Sequence, residues 1–188
     1  MVSDDGRILV LGAIVATVLA PSFVTSARSR FGSRDTAWNV ALRNNREARE
    51  SLTGTFVDLV ALYRLLQTFH WQTRGETSYG DHLLFQRLYE DVQKEIDGTG
   101  ERLVGLFDAQ AVDSASVESA VTKRLQGWTG LRSSKSLASQ ALTAEHDVVA
   151  SLHRAIGAFA SDPGTQNLLQ GFADKHVEHL YLLQQRTS

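Results

Sequence analysis

The chain has 188 residues, enough for one domain with a hydrophobic core and an extension. Hydrophobic residues make up 43% of it and charged residues 21%, as in soluble globular proteins. The formal net charge is -2, so any affinity for nucleic acid must come from a local basic segment. The absence of cysteine excludes disulfides, thiolate metal sites and thiol catalysis. A metal site must therefore consist of His, Asp and Glu, which suit iron, zinc or manganese.

Residues 8–27, ILVLGAIVATVLAPSFVTSA, contain no charged side chain. As a helix they would rise about 30 Å, just enough to cross a bilayer. Arg28, Arg30 and Arg34 follow with no acid between them. Because basic residues beside a membrane span favour the cytoplasmic side, a span here would leave the rest of the chain in the cytoplasm. A membrane anchor and an apolar tail packed on the protein or its neighbours both fit, whereas the acidic start disfavours a cleaved signal. We predict an apolar extension over residues 1–35 and a cytoplasmic protein, membrane-attached if the segment is an anchor.

From about residue 44 onward, apolar residues recur at three- and four-residue steps, which predicts helices. Asp162 and Pro163 have the order typical of an N-cap followed by the first helical position. Strand-type alternation of useful length is absent from the sequence. The predicted long helices are 44 to the break at TRGETSYGD, 81–107, 136–160 and 163–185, with a short helix at 116–125. We therefore predict an all-α domain over residues 36–188, built as a four-helix bundle.

Four potential metal ligands lie on the first two long helices. His70 ends the first helix on its apolar face, and His82 opens the second. Asp97 and Glu101 follow one turn apart on one face of the second helix. His82 and Asp97 are separated by about 22 Å of helix rise, too far to bind the same ion. Two antiparallel copies around a two-fold axis would bring them together, although a core histidine and a solvated, ion-paired acidic face fit the same residues.

The segment FHWQTRGETSYGDH, followed by LYEDVQKEIDGTGERL, resembles the miniferritins, the DNA-binding proteins from starved cells known as Dps. Members carry a His-Trp pair, a second His twelve residues later, and a D-x-x-x-E-R segment on the second helix. Here the matching positions are His70-Trp71, His82, and Asp97 to Glu101-Arg102. The resemblance implies a ferritin-like four-helix subunit in a homo-oligomeric shell of twelve. It also implies metal sites between two-fold-related subunits, with the histidines from one and the carboxylates from its partner.

By the same resemblance, the protein is a ferroxidase that oxidises ferrous iron with peroxide or oxygen, in iron detoxification, storage and protection from oxidative stress. One or two iron ions are implied per site. Imidazoles leave iron open to the oxidant, and carboxylates favour the ferric product. Trp71 is a candidate electron donor, although a Trp beside a His is also ordinary packing. Gln86 stands where the family often has an acid, which predicts a weaker second iron position.

Two other functions remain open. One is a ferritin-like scaffold with a weakened metal site, attached to a membrane or larger assembly through residues 8–27. The other is DNA binding through Arg28, Arg30 and Arg34, repeated on every subunit of a shell. The negative overall charge and the apolar stretch before these arginines favour iron oxidation over DNA binding.

Histidines near the C-terminus suggest a second arrangement. Glu145 and His146 on the third long helix could approach His176 and His179 on the fourth, inside one subunit. Di-iron bundles use Glu-x-x-His pairs on two helices, and this pattern is absent from the sequence. Because His176 lies on an apolar stripe, we expect it to be a core residue.

Overall fold

A computed structural model describes residues 37–129 and 136–188 of the chain. Regular structure in these two ranges is entirely helical. The elements are α1 (Ala37–Arg43), α2 (Arg46–Gln72), α3 (Ser78–Leu106), a 3-10 helix (Ala109–Val112), α4 (Ser114–Thr129), α5 (Leu137–Ala158) and α6 (Pro163–Thr187). The four predicted long helices correspond to α2, α3, α5 and α6, and the short one to α4. The predicted all-α bundle is therefore confirmed, with α1 as an additional helix.

The predicted extension over residues 1–35 lies outside the described residues, together with its apolar segment and Arg28, Arg30 and Arg34. Within the described ranges, no helix is both long and apolar enough to cross a membrane. The boundary at residue 35 and the role of the segment therefore remain predictions.

The helix ends depend on a few local features. The Asp162 carboxylate accepts hydrogen bonds from the N–H groups of Gly164 and Thr165 at 3.1 and 3.3 Å. Pro163 follows at the first position of α6, as predicted from the sequence. Between α2 and α3, Gly75 has φ 86°, a left-handed conformation that glycine adopts without strain. The chain reverses within this short turn, and α3 begins at residue 78, earlier than the predicted position 81.

Arg186 connects the end of α6 to the start of α3. Its Nη2 lies 3.0 Å from Asp81 Oδ2 and 2.7 Å from Thr77 Oγ1. Its Nε also donates to the other Asp81 oxygen, which makes the pair bidentate. This contact fixes the first turn of α3.

The core lies between the long helices, with α2 against α3 and α5, and α5 against α6. Fully buried apolar side chains come from all four helices, for example Leu59, Phe85, Leu152 and Leu169. Burying such a side chain stabilises the fold by about 1.5–3 kcal/mol. The core also contains charged or titratable side chains, which are Asp58, Glu95, Glu145, Asp162, His176 and His179. Buried charges need partners, so their contacts bear directly on function.

Candidate metal centres

His70 and His82 form a compact pair where α2 ends and α3 begins. Their rings stack with centroids 3.6 Å apart and planes inclined by 24°. His70 Nδ1 lies 2.9 Å from the His82 carbonyl oxygen, and His82 Nδ1 lies 3.0 Å from the His70 carbonyl oxygen. Because a carbonyl oxygen only accepts, each Nδ1 carries a proton and donates it. With Nδ1 engaged in this way, Nε2 is the nitrogen of each ring that could bind a metal.

Local sequence explains this arrangement. His70 lies in the last turn of α2, the chain reverses at Gly75, and His82 lies near the start of α3. The Tyr89 ring meets the His70 ring edge-on, with centroids 5.4 Å apart. Both histidines are half-buried, so packing holds the rings while solvent still reaches them.

Asp97 and Glu101 are exposed and lie one turn apart on α3. They share one continuous helix with His82, so about 22 Å of rise separates Asp97 from that histidine. A single subunit therefore does not bring the carboxylates to the histidines. Lys94 pairs with Asp91 (3.2 Å) and Arg102 donates to Thr165 (2.9 Å), so these neighbouring bases are engaged elsewhere.

Trp71 directly follows His70 in the sequence, and Gln86 lies one turn after His82 on α3. The Trp71 side chain is 68% exposed, so packing within the subunit core does not explain it. Gln86 is half-buried, and its amide nitrogen donates to Glu90 Oε1 at 2.8 Å. A neutral amide thus occupies the position where an acid would have added negative charge.

A second group, Glu145 on α5 with His176 and His179 on α6, lies inside the subunit. All three side chains are 0% exposed. Glu145 Oε2 lies 2.5 Å from His176 Nδ1, and Glu145 Oε1 lies 3.1 Å from His179 Nδ1. One potential ligand atom from each residue can be chosen so that all lie within 4.8 Å of one another. We call these three residues the buried cluster.

Two carboxylates of α3 lie behind the buried cluster. His176 Nε2 is 2.8 Å from Glu95 Oε2, a hydrogen-bond distance. His179 Nε2 is buried without a hydrogen-bond partner, and it lies 3.7 Å from Asp91 Oδ2. That separation is compatible with an ion pair but too long for a hydrogen bond. Each imidazole thus faces Glu145 with Nδ1 and a carboxylate of α3 with Nε2.

The charges within the buried cluster are strongly coupled. Burial alone would lower the pKa of His176, but the charge and hydrogen bonds of Glu145, with Glu95, outweigh it and raise the pKa to about 10. Burial alone would raise the pKa of Glu145, but His176 and His179 outweigh it and lower the pKa to about 2. Without a metal ion, His176 and Glu145 are therefore an imidazolium and a carboxylate at neutral pH.

We expected His176 to be a core residue, and it is buried. Its ring nitrogens contact the carboxylates of Glu145 and Glu95 rather than apolar side chains. His146, the other residue considered there, is exposed. The available signal was a His-x-x-His pair on α6 combined with the Asp91 and Glu95 pair, spaced by four residues, on α3. The approach of Glu145 to His176 and His179 considered from the sequence is the arrangement found, whereas the contribution of the two α3 carboxylates was not foreseen.

Comparison with known proteins identifies the family. The model for the ferritin-like domain matches residues 50–187, from the first turns of α2 to the end of α6. The nutrient stress-induced DNA-binding protein of a Nostoc species is 30% identical over 136 residues, covering 71% of this chain and 73% of that protein. The chain belongs to the Dps family of ferritin-like proteins. The DNA protection during starvation protein of Brevibacillus brevis is 28% identical and covers 66% of this chain and 84% of its own length.

Solved Dps structures have the same fold. Dps from Bacillus brevis has a TM-score of 0.65 at 21% identity, covering 81% of this chain and 99% of its own. Dps from Thermosynechococcus elongatus has a TM-score of 0.63 at 21% identity, covering 80% and 94%. These similarities confirm the ferritin-like fold.

Proposed function

We propose that this Dps protein binds and oxidises ferrous iron at a site shared between two-fold-related subunits. His70 and His82 come from one subunit, and Asp97 and Glu101 from its partner. The observation that carries the proposal is the reciprocal hydrogen bonding of the two histidines through Nδ1, which leaves both Nε2 atoms as the nitrogens that could bind a metal. The distance along α3 supports carboxylates from another copy, because one copy of this helix cannot bring Asp97 to His82.

Each part of the proposed site has a chemical task. The imidazoles hold ferrous iron, and the carboxylates stabilise the ferric product through their negative charge. With peroxide as oxidant, two ferrous ions, one peroxide and two protons give two ferric ions and two waters. Because Gln86 adds no charge, we expect the first iron ion to bind more tightly than a second. Trp71, exposed beside His70, is a candidate donor of an additional electron.

The family supports iron as the substrate. Dps from Vibrio cholerae, with a TM-score of 0.64 at 14% identity, is described as a member of the ferritin-like diiron-carboxylate proteins. Assembly into a shell, with twelve subunits as the proposed number, is supported by large apolar side chains exposed on the subunit, among them Leu83, Val104, Val177 and Tyr181. We place the protein in the cytoplasm as part of the same proposal.

The first test is stopped-flow absorbance near 300 nm after ferrous iron is mixed with protein and either oxygen or peroxide. We expect His70→Ala/His82→Ala to slow ferric formation about tenfold or more, because it removes both nitrogen ligands. His153→Ala, at an exposed histidine of α5, is the matched control and should behave as wild type. Equal slow traces from wild type and the double variant would contradict the proposal and favour a ferritin-like scaffold.

A complementation experiment tests whether the site is shared. His70→Ala/His82→Ala protein is assembled together with Asp97→Asn/Glu101→Gln protein, each inactive alone. Random mixing would rebuild about one quarter of the sites, because one partner supplies intact histidines and the other intact carboxylates. If all four ligands served one subunit, mixing would restore nothing.

DNA binding is a second, independent proposal, motivated by the names of the two relatives and by Arg28, Arg30 and Arg34. Replacing all three arginines with Gln should abolish retention of duplex DNA at low salt. Arginine–phosphate contacts release counterions from the DNA, and this release drives binding that is independent of base sequence. Arg46→Gln, at an exposed arginine paired with Glu50, is the control. Retention unaffected by the triple substitution would exclude these arginines as the contact.

A further inference from the structure

We propose that Glu145, His176 and His179 bind one divalent first-row transition-metal ion inside each subunit. Two histidines and one carboxylate are a donor set that binds Zn²⁺ and Fe²⁺ in proteins. Both oxygens of Glu145 already face an Nδ1 atom, at 2.5 and 3.1 Å. In a tetrahedral site, metal bonds of about 2.0–2.2 Å place ligand atoms about 3.3–3.6 Å apart, so His176 Nδ1 and the Glu145 carboxylate would separate by about 1 Å to admit an ion.

The carboxylates of α3 orient both rings for this role. A histidine that binds a metal through one nitrogen usually donates its other N–H to a carboxylate, which fixes the tautomer. Glu95 stands in this position behind His176, with 2.8 Å between Oε2 and Nε2. Asp91 stands behind His179, with 3.7 Å between Oδ2 and Nε2.

The unpartnered nitrogen of His179 fits the same arrangement. Its Nε2 is buried without a hydrogen-bond partner, so the polar network is incomplete at this atom. If Nδ1 binds an ion, Nε2 must carry the proton, and a ring shift of about 1 Å would let it donate to Asp91. This movement would complete the hydrogen bonds to the α3 carboxylates behind both histidines.

Charge balance also favours a cation. Glu145 and Glu95 are 0% and 4% exposed, and the Asp91 side chain is 22% exposed. Asp91 pairs with Lys94 at 3.2 Å, which leaves Glu145 and Glu95 as the buried carboxylates beside the two imidazoles. A divalent ion bound by the imidazoles would supply the positive charge that buried carboxylates require. The buried cluster lies on other helices than the His70 and His82 pair, so this inference does not rest on the proposed ferroxidase function.

The test is a Zn²⁺ titration by equilibrium dialysis, with a weak chelator that suppresses loose surface binding. The starting protein is His70→Ala/His82→Ala, in which the shared site is removed. We expect one Zn²⁺ per chain, lost when His179→Gln is added and kept when His146→Ala, at an exposed histidine beside Glu145, is added. Absence of tight Zn²⁺ before the added substitution, or unchanged binding after it, would overturn the proposal.

Two further measurements separate loss of the site from loss of the fold. In EDTA, His179→Gln should unfold within a few degrees of the starting protein, while added Zn²⁺ should raise Tm only in the protein with an intact cluster. Asp91→Asn, at the partly exposed position behind His179, should weaken Zn²⁺ binding about 10- to 100-fold without abolishing it. A Tm that does not respond to Zn²⁺ in any variant, or full affinity in Asp91→Asn, would contradict the assignment.

Discussion

At the scale of single residues, Glu145 is the carboxylate that contacts both buried histidines, because each of its oxygens faces one imidazole. In chelator-treated protein, Glu145→Gln would leave the His176 charge without its nearest counter-charge. Breaking a buried ion pair costs about 3–5 kcal/mol, so we expect Tm to fall by about 10 °C. Calorimetry in EDTA measures this, with Glu76→Gln in the exposed turn as the control. An unchanged Tm would mean that His176 is uncharged.

The two centres differed in how far the sequence could predict them. His70 and His82 lie twelve residues apart on either side of one turn, so the sequence pattern alone identified both as potential metal ligands. Glu145 and His176 come from different helices, and sequence periodicity does not give the relative rotation of α5 and α6. The fold was predicted well because apolar periodicity determines helices directly. Contacts between polar residues across the core depend on how the helices pack against one another, which the periodicity of apolar residues does not specify.

At the scale of helices, two glycines of α3 differ in their surroundings. A Cβ at Gly98 would lie 3.4 Å from Phe172, an ordinary contact, whereas one at Gly100 would lie 3.3 Å from Phe56, a tighter one. Alanine is favoured over glycine in a helix by about 1 kcal/mol. We therefore expect Gly98→Ala to raise Tm by about 2–4 °C and Gly100→Ala to raise it less. Thermal unfolding of both variants checks the order, and the reverse order would contradict it.

The Arg186 contact makes the start of α3 sensitive to pH. Hydrogen bonds from Arg186 outweigh burial and lower the pKa of Asp81 below its ordinary value. A carboxyl group with a lowered folded pKa contributes stability above its unfolded pKa, and this is lost as pH falls through the folded value. Arg186→Gln should therefore reduce stability at pH 7, by about 1 kcal/mol or less for a pair this exposed. The difference from wild type should begin to shrink as pH falls below about 4 and vanish once pH is below the folded pKa of Asp81.

Unfolding of both proteins across this pH range measures the effect, with Arg46→Gln as an exposed ion-pair control. A difference that stays constant down to pH 3 would show that Arg186 acts through packing rather than through the Asp81 charge.

At the scale of the whole molecule, the N-terminal segment distinguishes the two competing functions. Removing residues 1–27 should leave a shell of unchanged subunit number and ferroxidase rate if the helical domain is sufficient. Light scattering after size exclusion, combined with stopped-flow oxidation, measures both quantities. Loss of assembly after the deletion would instead support the scaffold function, in which residues 8–27 are the point of attachment.

The reciprocal bonds of His70 and His82 also have a consequence for the order of events during biogenesis. The His70 carbonyl lies in the last turn of α2, where helix carbonyls lack a partner, and the His82 ring supplies one. Contacts between residues so close in sequence form early in folding. We expect each newly made chain to carry its pair of histidines in place once the α2–α3 hairpin closes. In the proposed site, association with a second subunit would then add carboxylates to histidines that are already in place.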